Sequence, residues 1–213
     1  MTPPGRPPIL CLGANKSGTS SLQHFFTGNG IAAVHRGGAD RRRNIAHVML
    51  RNASAARPIL TGLERFEAFS DISYNDGRVS IDVAAFAERL FADCPDGYFI
   101  YNHRPREAWV QSRARHHGGH LLRNTQRAYG MEQEAVLEMW RAYHDAHGAR
   151  VRALAAASGA RFLDFAVGTD PPEALVAFLR PDYDTDAVHW QKANTGATRT
   201  LRNRVRQLRA RFT

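Results

Sequence analysis

Ile9-Leu10-Cys11-Leu12 is the first unbroken apolar run of the chain, and with Gly13 it reads as a buried strand. Leu22, Phe25 and Phe26 then recur at helical spacing, which predicts a helix from about Thr19 to Thr27, closed by Gly28-Asn29-Gly30. Ile31 to His35 is the next strand, so the chain opens as a strand–turn–helix–strand unit of a parallel sheet. Arg36 to Asn52 is polar and arginine-rich and reads as a loop leading into a short helix. Pro58–Thr61 and Phe66–Ile72 read as short strand or edge pieces. Val83, Phe86, Ala87 and Leu90 mark a helix that stops before Pro95, and Tyr98-Phe99-Ile100-Tyr101 is a second clear buried strand. A helix from about Pro105 breaks at Gly118-Gly119. The longest helix runs from Met131 to about Ser158, followed by a strand over Arg161–Phe165 and a helix over Pro171–Leu179. Near the C-terminus, Leu201, Val205, Leu208 and Phe212 fall at helical spacing among six arginines. This alternation predicts one three-layer α/β/α domain over residues 1–213, with a mainly parallel central sheet and a proline-rich flexible leader at residues 1–8. In such a fold the ligand site lies at the carboxyl ends of the strands.

Composition narrows the partners. The 213 residues hold 29 Lys plus Arg against 20 Asp plus Glu, a formal net charge of +9, which favours anionic ligands. Only two of those cations are lysines, Lys16 and Lys192, and both stand beside small or turn-forming residues. No apolar run approaches the ~20 residues of a membrane span, which predicts no membrane insertion. Two cysteines, Cys11 and Cys94, make no disulfide framework, and the simplest setting for them is the reducing cytoplasm.

Gly13-Ala14-Asn15-Lys16-Ser17-Gly18-Thr19-Ser20-Ser21 lies between a strand and a helix, where glycines let backbone amides and a helix N-terminus approach an anion. A nucleoside-triphosphatase loop would carry its lysine directly after the second glycine, with Ser or Thr next for magnesium. Here Thr19 follows Gly18 and the lysine lies upstream, which argues against the usual Mg-dependent ATP hydrolysis. Lys16-Ser17-Gly18-Thr19-Ser20-Ser21-Leu22 after an apolar strand resembles the 5′-phosphosulfate loop of the sulfotransferases. Arg104, following the Tyr98–Tyr101 strand, with Ser112 eight residues on and Trp109 between, is similar to the pair that grips the donor's 3′-phosphate in that family. Phe162–Phe165 with the helix after it, and Lys192 to Arg204, are similar to the family's late strand and C-terminal loop. The latter lacks the usual Arg-Lys-Gly string.

The resemblance implies the P-loop NTPase-like sulfotransferase fold. It implies 3′-phosphoadenosine 5′-phosphosulfate (PAPS) as nucleotide donor, 3′-phosphoadenosine 5′-phosphate (PAP) as product, no metal, and a small-molecule hydroxyl or amine as acceptor. Lys16, Ser17, Gly18, Thr19, Ser20 and Ser21 would hold the 5′ side of the donor. Arg104 and Ser112 would hold the 3′-phosphate, with Lys192, Asn194 and Arg199 closing over it. Lys16 would also neutralise charge on the leaving phosphate oxygen. The family uses His in one branch and Glu or Asp in others as base. His35, at the end of the second strand, is the first candidate here, then Asp71 and His103.

Rival readings start from other clusters. His116-His117-Gly118-Gly119-His120 has no Cys or carboxylate at ligand spacing, so a zinc site is disfavoured, and it reads either as part of a loop covering the acceptor with Leu121–Tyr129 or as solvated surface. The arginine-rich C-terminal stretch lacks a nucleic-acid module and interleaved aromatics, which disfavours nucleic acid as partner. A small-molecule kinase and a basic binding protein for nucleic acid or an anionic surface remain the alternatives.

Overall fold

Successive side chains of a strand point to opposite faces of its sheet, and in this chain both faces are apolar, the pattern of a parallel sheet covered on both sides. The computed structural model describes residues 5–37, 44–76 and 78–191. The first elements are β1 (Ile9–Cys11), α1 (Thr19–Gly28), β2 (Ala33–His35), α2 (Ile45–Ser54) and β3 (Ala68–Ser70). A small antiparallel hairpin follows, β4 (Tyr74–Asn75) and β5 (Ser80–Ile81), with a 3₁₀ turn over Val83–Phe86 and α3 (Ala87–Asp93). Then come β6 (Tyr98–His103), α4 (Arg106–Ala114), α5 (His120–Tyr129), α6 (Gln133–Ser158), β7 (Arg161–Ala166), α7 (Glu173–Leu179) and a 3₁₀ turn over Ala187–His189. β2, β3, β1, β6 and β7 lie side by side in that order and pair in parallel throughout.

One face of the sheet, carrying Ile9, Cys11, Ala68, Tyr98, Ile100 and Phe165, buries Leu22, Phe25 and Phe26 of α1 and Leu175 and Leu179 of α7. The other, carrying Leu10, Val34, Phe69, Phe99 and Tyr101, packs on α2, α3 and Val151 of α6. A third cluster holds Trp109 and Val110 of α4, Leu122 of α5 and Val136, Leu137 and Trp140 of α6 around Ala14. From β1 the chain runs first to β2 and β3 on one side and then returns to β6 on the other. The β1–α1 loop therefore stands at the point where the winding reverses, where ligands bind in open α/β sheets.

The α/β class and parallel sheet agree with the sequence pattern. Phe66–Ile72 holds a short strand as its pattern predicts, β3, which lies inside the sheet between β2 and β1. Two local readings are corrected. Pro58–Thr61 is a turn closed by the Thr61 amide on the Pro58 carbonyl, not a strand. His120–Tyr129 is a helix rather than a loop, entered through Gly119 at φ 85° and left through Gly130 at φ 61°. The arginine-rich C-terminal stretch lies outside the described residues. Among the described residues no helix is long and apolar enough to cross a membrane. Both cysteines are free and buried, and burial pushes their thiols up, Cys94 to about 11.

Candidate active site

The β1–α1 loop is fastened from three directions. Asn102 of β6 is fully buried and reaches both ends of it. Its Oδ1 accepts from the Gly13 amide at 2.9 Å, and its Nδ2 donates to the Ser17 carbonyl at 2.9 Å. Trp109 of α4 donates its indole N–H to the Asn15 carbonyl at 3.0 Å, and His147 of α6 bonds the Leu12 carbonyl through Nε2 at 2.7 Å. Gly13 permits the close approach to β6, since a Cβ there would lie 1.9 Å from the Asn102 carbonyl oxygen.

Within this frame the backbone is bent at two left-handed positions. Gly18, at φ 83°, is the N-cap of α1 and offers no side-chain cap, so the first amides of the helix stay available to an anion. Lys16 adopts φ 77°, a conformation that costs a lysine about 1–3 kcal/mol and that the fastened loop enforces. Ser17, Thr19 and Ser21 are buried, and Lys16 and Ser20 are half-buried at the loop surface.

His35 and Asp71 come to the same place from the ends of β2 and β3. His35 Nε2 lies 3.1 Å from the Thr19 hydroxyl and 3.8 Å from Asp71 Oδ2. Asp71 is buried at φ 51°, and its Oδ1 accepts from Asn15 Nδ2 at 3.0 Å and from the Ser73 hydroxyl at 2.8 Å. Burial pulls the His35 pKa below its ordinary value, and the Asp71 carboxylate opposes that pull without cancelling it. The imidazole is therefore neutral at pH 7, able to take a proton and to share the resulting charge with Asp71.

His103, the third candidate base, sits elsewhere. Its Nε2 is 2.8 Å from Asp164 Oδ1, its ring stacks on Tyr101, and Arg152 holds the other oxygen of Asp164. It belongs to an ion-pair cluster joining β6 and β7 to α6, and burial lowers its pKa as well. Arg104 follows β6 half-buried, its backbone carbonyl bonded by His144. Its Nε is buried with no hydrogen-bond partner among the described residues, and desolvation pulls its pKa down. Ser112 is half-buried on α4, a helix that begins two residues after Arg104. Lys192, Asn194 and Arg199 lie outside the described residues. Asn102 and Asn15 carry no signal in the sequence. Asn102 lies 89 residues from the amide it supports, and Asn15 has the setting of an ordinary loop asparagine.

Beside the loop, a cavity of about 240 Å³ opens between Asn15, Arg36, the β4–β5 hairpin and helices α4 and α5. Its wall includes Asp82, Arg113, His120 and Asn124. Among the described residues, no three of His, Cys, Asp or Glu converge as a metal ion would require, the histidines at 116, 117 and 120 included.

A glycine-containing loop thus stands at the reversal point of a parallel sheet, opening onto an uncapped helix beside a neutral histidine. The family model described as Sulfotransferase domain matches residues 8–152, about two thirds of the chain, and the protein belongs to that family. No curated protein and no solved structure gives a significant match.

Proposed function

We propose that this protein transfers a sulfuryl group from PAPS to the hydroxyl or amine of a small-molecule acceptor. The observation that carries the proposal is the β1–α1 loop itself. Lys16 is held at φ 77° three residues ahead of α1, in front of a helix start capped by a glycine alone. That arrangement suits a single phosphate–sulfate ester better than a magnesium-bound triphosphate. The residues also fit the donor's far end. Arg104 carries a buried Nε with no hydrogen-bond partner among the described residues, an arrangement that a 3′-phosphate would satisfy, and Ser112 adds a neutral hydroxyl on the helix that follows.

The donor supplies a sulfuryl group whose bond to the 5′-phosphate oxygen breaks while a new bond forms to the acceptor's oxygen or nitrogen. Lys16 and the amides of Gly18, Thr19 and Ser20 take up the negative charge that accumulates on the departing oxygen. His35 accepts the acceptor's proton at Nε2, and Asp71, 3.8 Å away, steadies the imidazolium. The Thr19 hydroxyl, 3.1 Å from the same nitrogen, links the base to the phosphate loop.

Calorimetric titration of PAP, without metal, tests the reading on wild type, Lys16→Ala and Arg104→Ala, with ATP run in parallel with and without magnesium. Binding of PAP clearly tighter than ATP, and weakened about tenfold or more by either substitution, is the expected result. Preference for Mg-ATP, or PAP binding indifferent to both substitutions, overturns it.

A further inference from the structure

Arg113 of α4 lines the cavity beside the loop, and its guanidinium lies between two tryptophans, 4.7 Å from the Trp109 ring and 4.8 Å from the Trp140 ring. Its Nε and Nη1 are buried and have no hydrogen-bond partner among the described residues. Arg36, entering the same cavity from the end of β2, has a buried Nε in the same state. A buried donor left unpaired is costly, more so when it is charged, and a packing role between two indoles needs no charge at all. The wall offers little to offset these cations. Asp82 is its carboxylate among the described residues, and Asp82 Oδ1 is taken by the Tyr143 hydroxyl at 2.5 Å. Asp71, which is not part of the wall, accepts from Asn15 and Ser73 and also acts electrostatically on Arg113, as Asp82 does. Guanidinium keeps its proton at neutral pH even where burial opposes it, so the described wall presents two fixed positive charges against one carboxylate.

We propose that the acceptor carries an oxyanion of its own, seated at Arg113 and Arg36, which turns its hydroxyl or amine toward Asn15 and His35. The inference rests on the sulfotransfer reading in making this cavity the acceptor's seat. Its chemistry, an oxyanion bound by two arginines, can be tested separately. A planar guanidinium held between ring faces presents its N–H edge in one plane, which suits the two oxygens of a carboxylate or sulfonate.

The probes are phenol, 4-hydroxybenzoate and 4-hydroxybenzenesulfonate, titrated into the full chain. Affinity is read by calorimetry and by the fluorescence of the tryptophans flanking Arg113. Each titration is run with saturating PAP and again in Lys16→Ala, so that anion binding at the phosphate loop is not counted. We expect at least one of the two anions to bind about tenfold or more tighter than phenol. Arg113→Met, which preserves the apolar filling between the indoles, should erase that preference. Arg113→Lys should restore part of it, and Arg36→Met should weaken it. Whichever anion binds more tightly identifies the source of the oxyanion. Equal binding of all three probes, no binding of either anion at millimolar concentration, or a preference that survives both Met variants overturns the proposal. If Arg113→Met does not fold, Arg36→Met carries the same test. PAP binding is recorded on every variant. Anion preference without PAP binding sinks the sulfotransfer reading and leaves the oxyanion site standing, and PAP binding without anion preference does the reverse.

Discussion

Replacing Asn102 with alanine would leave the Gly13 amide and the Ser17 carbonyl without partners at a position fully shielded from solvent. Each orphaned group costs about 1–3 kcal/mol, so Asn102→Ala should lose about 2–6 kcal/mol by chemical denaturation. PAP affinity should fall with it, because the loop would no longer hold Lys16 in its left-handed conformation. Unchanged PAP affinity in a destabilised protein would mean that the loop does not depend on this bridge. Asp71 makes a different prediction, about titration. His35 must be neutral to act as a base, and its pKa lies below the ordinary histidine value, so the rate should be flat near pH 7 and fall only at more acid pH. Asp71 raises that pKa; Asp71→Asn removes the pull and should move the acid limb of the pH–rate profile to still lower pH. His35→Ala should lower the plateau by about 10²–10⁴-fold. An acid limb that stays in place in Asp71→Asn would show that the two groups are not coupled in the reaction. Lys16, Thr19, His35 and Asp71 were all readable from the chain, since each sits in a loop motif or at a strand end. Asn102 was not, because its purpose is a contact across 85 to 89 residues that no local pattern encodes.

The start of α1 and the end of β7 meet at Gly18. A Cβ there would stand 2.5 Å from Val167 Cγ1, and the φ of 83° is itself unfavourable for any side chain. Gly18→Ala should therefore destabilise the fold by about 2 kcal/mol or more, through two separable causes. Adding Val167→Ala should recover the part due to the clash and leave the part due to φ. If the double variant is no more stable than Gly18→Ala, the contact between the two elements is not what makes glycine necessary. The strands and helices with strong apolar periodicity, β1, α1, β6, α6 and β7, stood out in the sequence because burial on one or both faces leaves a repeating trace. α5 did not. Leu122 is its one buried hydrophobic residue, and beside it Asn124 and Thr125 are buried with polar side chains, Thr125 bonding back to the Leu121 carbonyl. Its residues do segregate by helical face, but so polar an average composition after Gly118-Gly119 reads as a loop.

The same economy of polar groups across the molecule sets its response to acid. Burial lowers the pKa values of His35, His103 and His147, and for His147 it outweighs the Nε2 bond to the Leu12 carbonyl, which pulls the other way. In the unfolded chain each would titrate near 6.5, so between 6.5 and the lower folded value the unfolded state binds the extra proton. Their contribution to stability is therefore complete above pH 6.5 and is lost as the pH falls below it, by up to about 1.4 kcal/mol per pH unit for each histidine. Carboxylates held low by hydrogen-bond partners, Glu88 by Arg150 and Asp145 by His144 and then Arg106, add their own loss only at more acid pH, below their ordinary values. The window from pH 6.5 down to about 4.5 thus belongs to the histidines. Denaturant melts at pH 7.5, 6.0 and 5.0 should show stability declining across that window. His147→Gln, which can keep a donor to Leu12 but cannot titrate, should flatten the decline while lowering stability at pH 7.5 only modestly. A decline of the same slope in the variant would assign the acid sensitivity to other groups. A decline that begins only below pH 4.5 would mean that these imidazoles accept protons as readily in the fold as outside it.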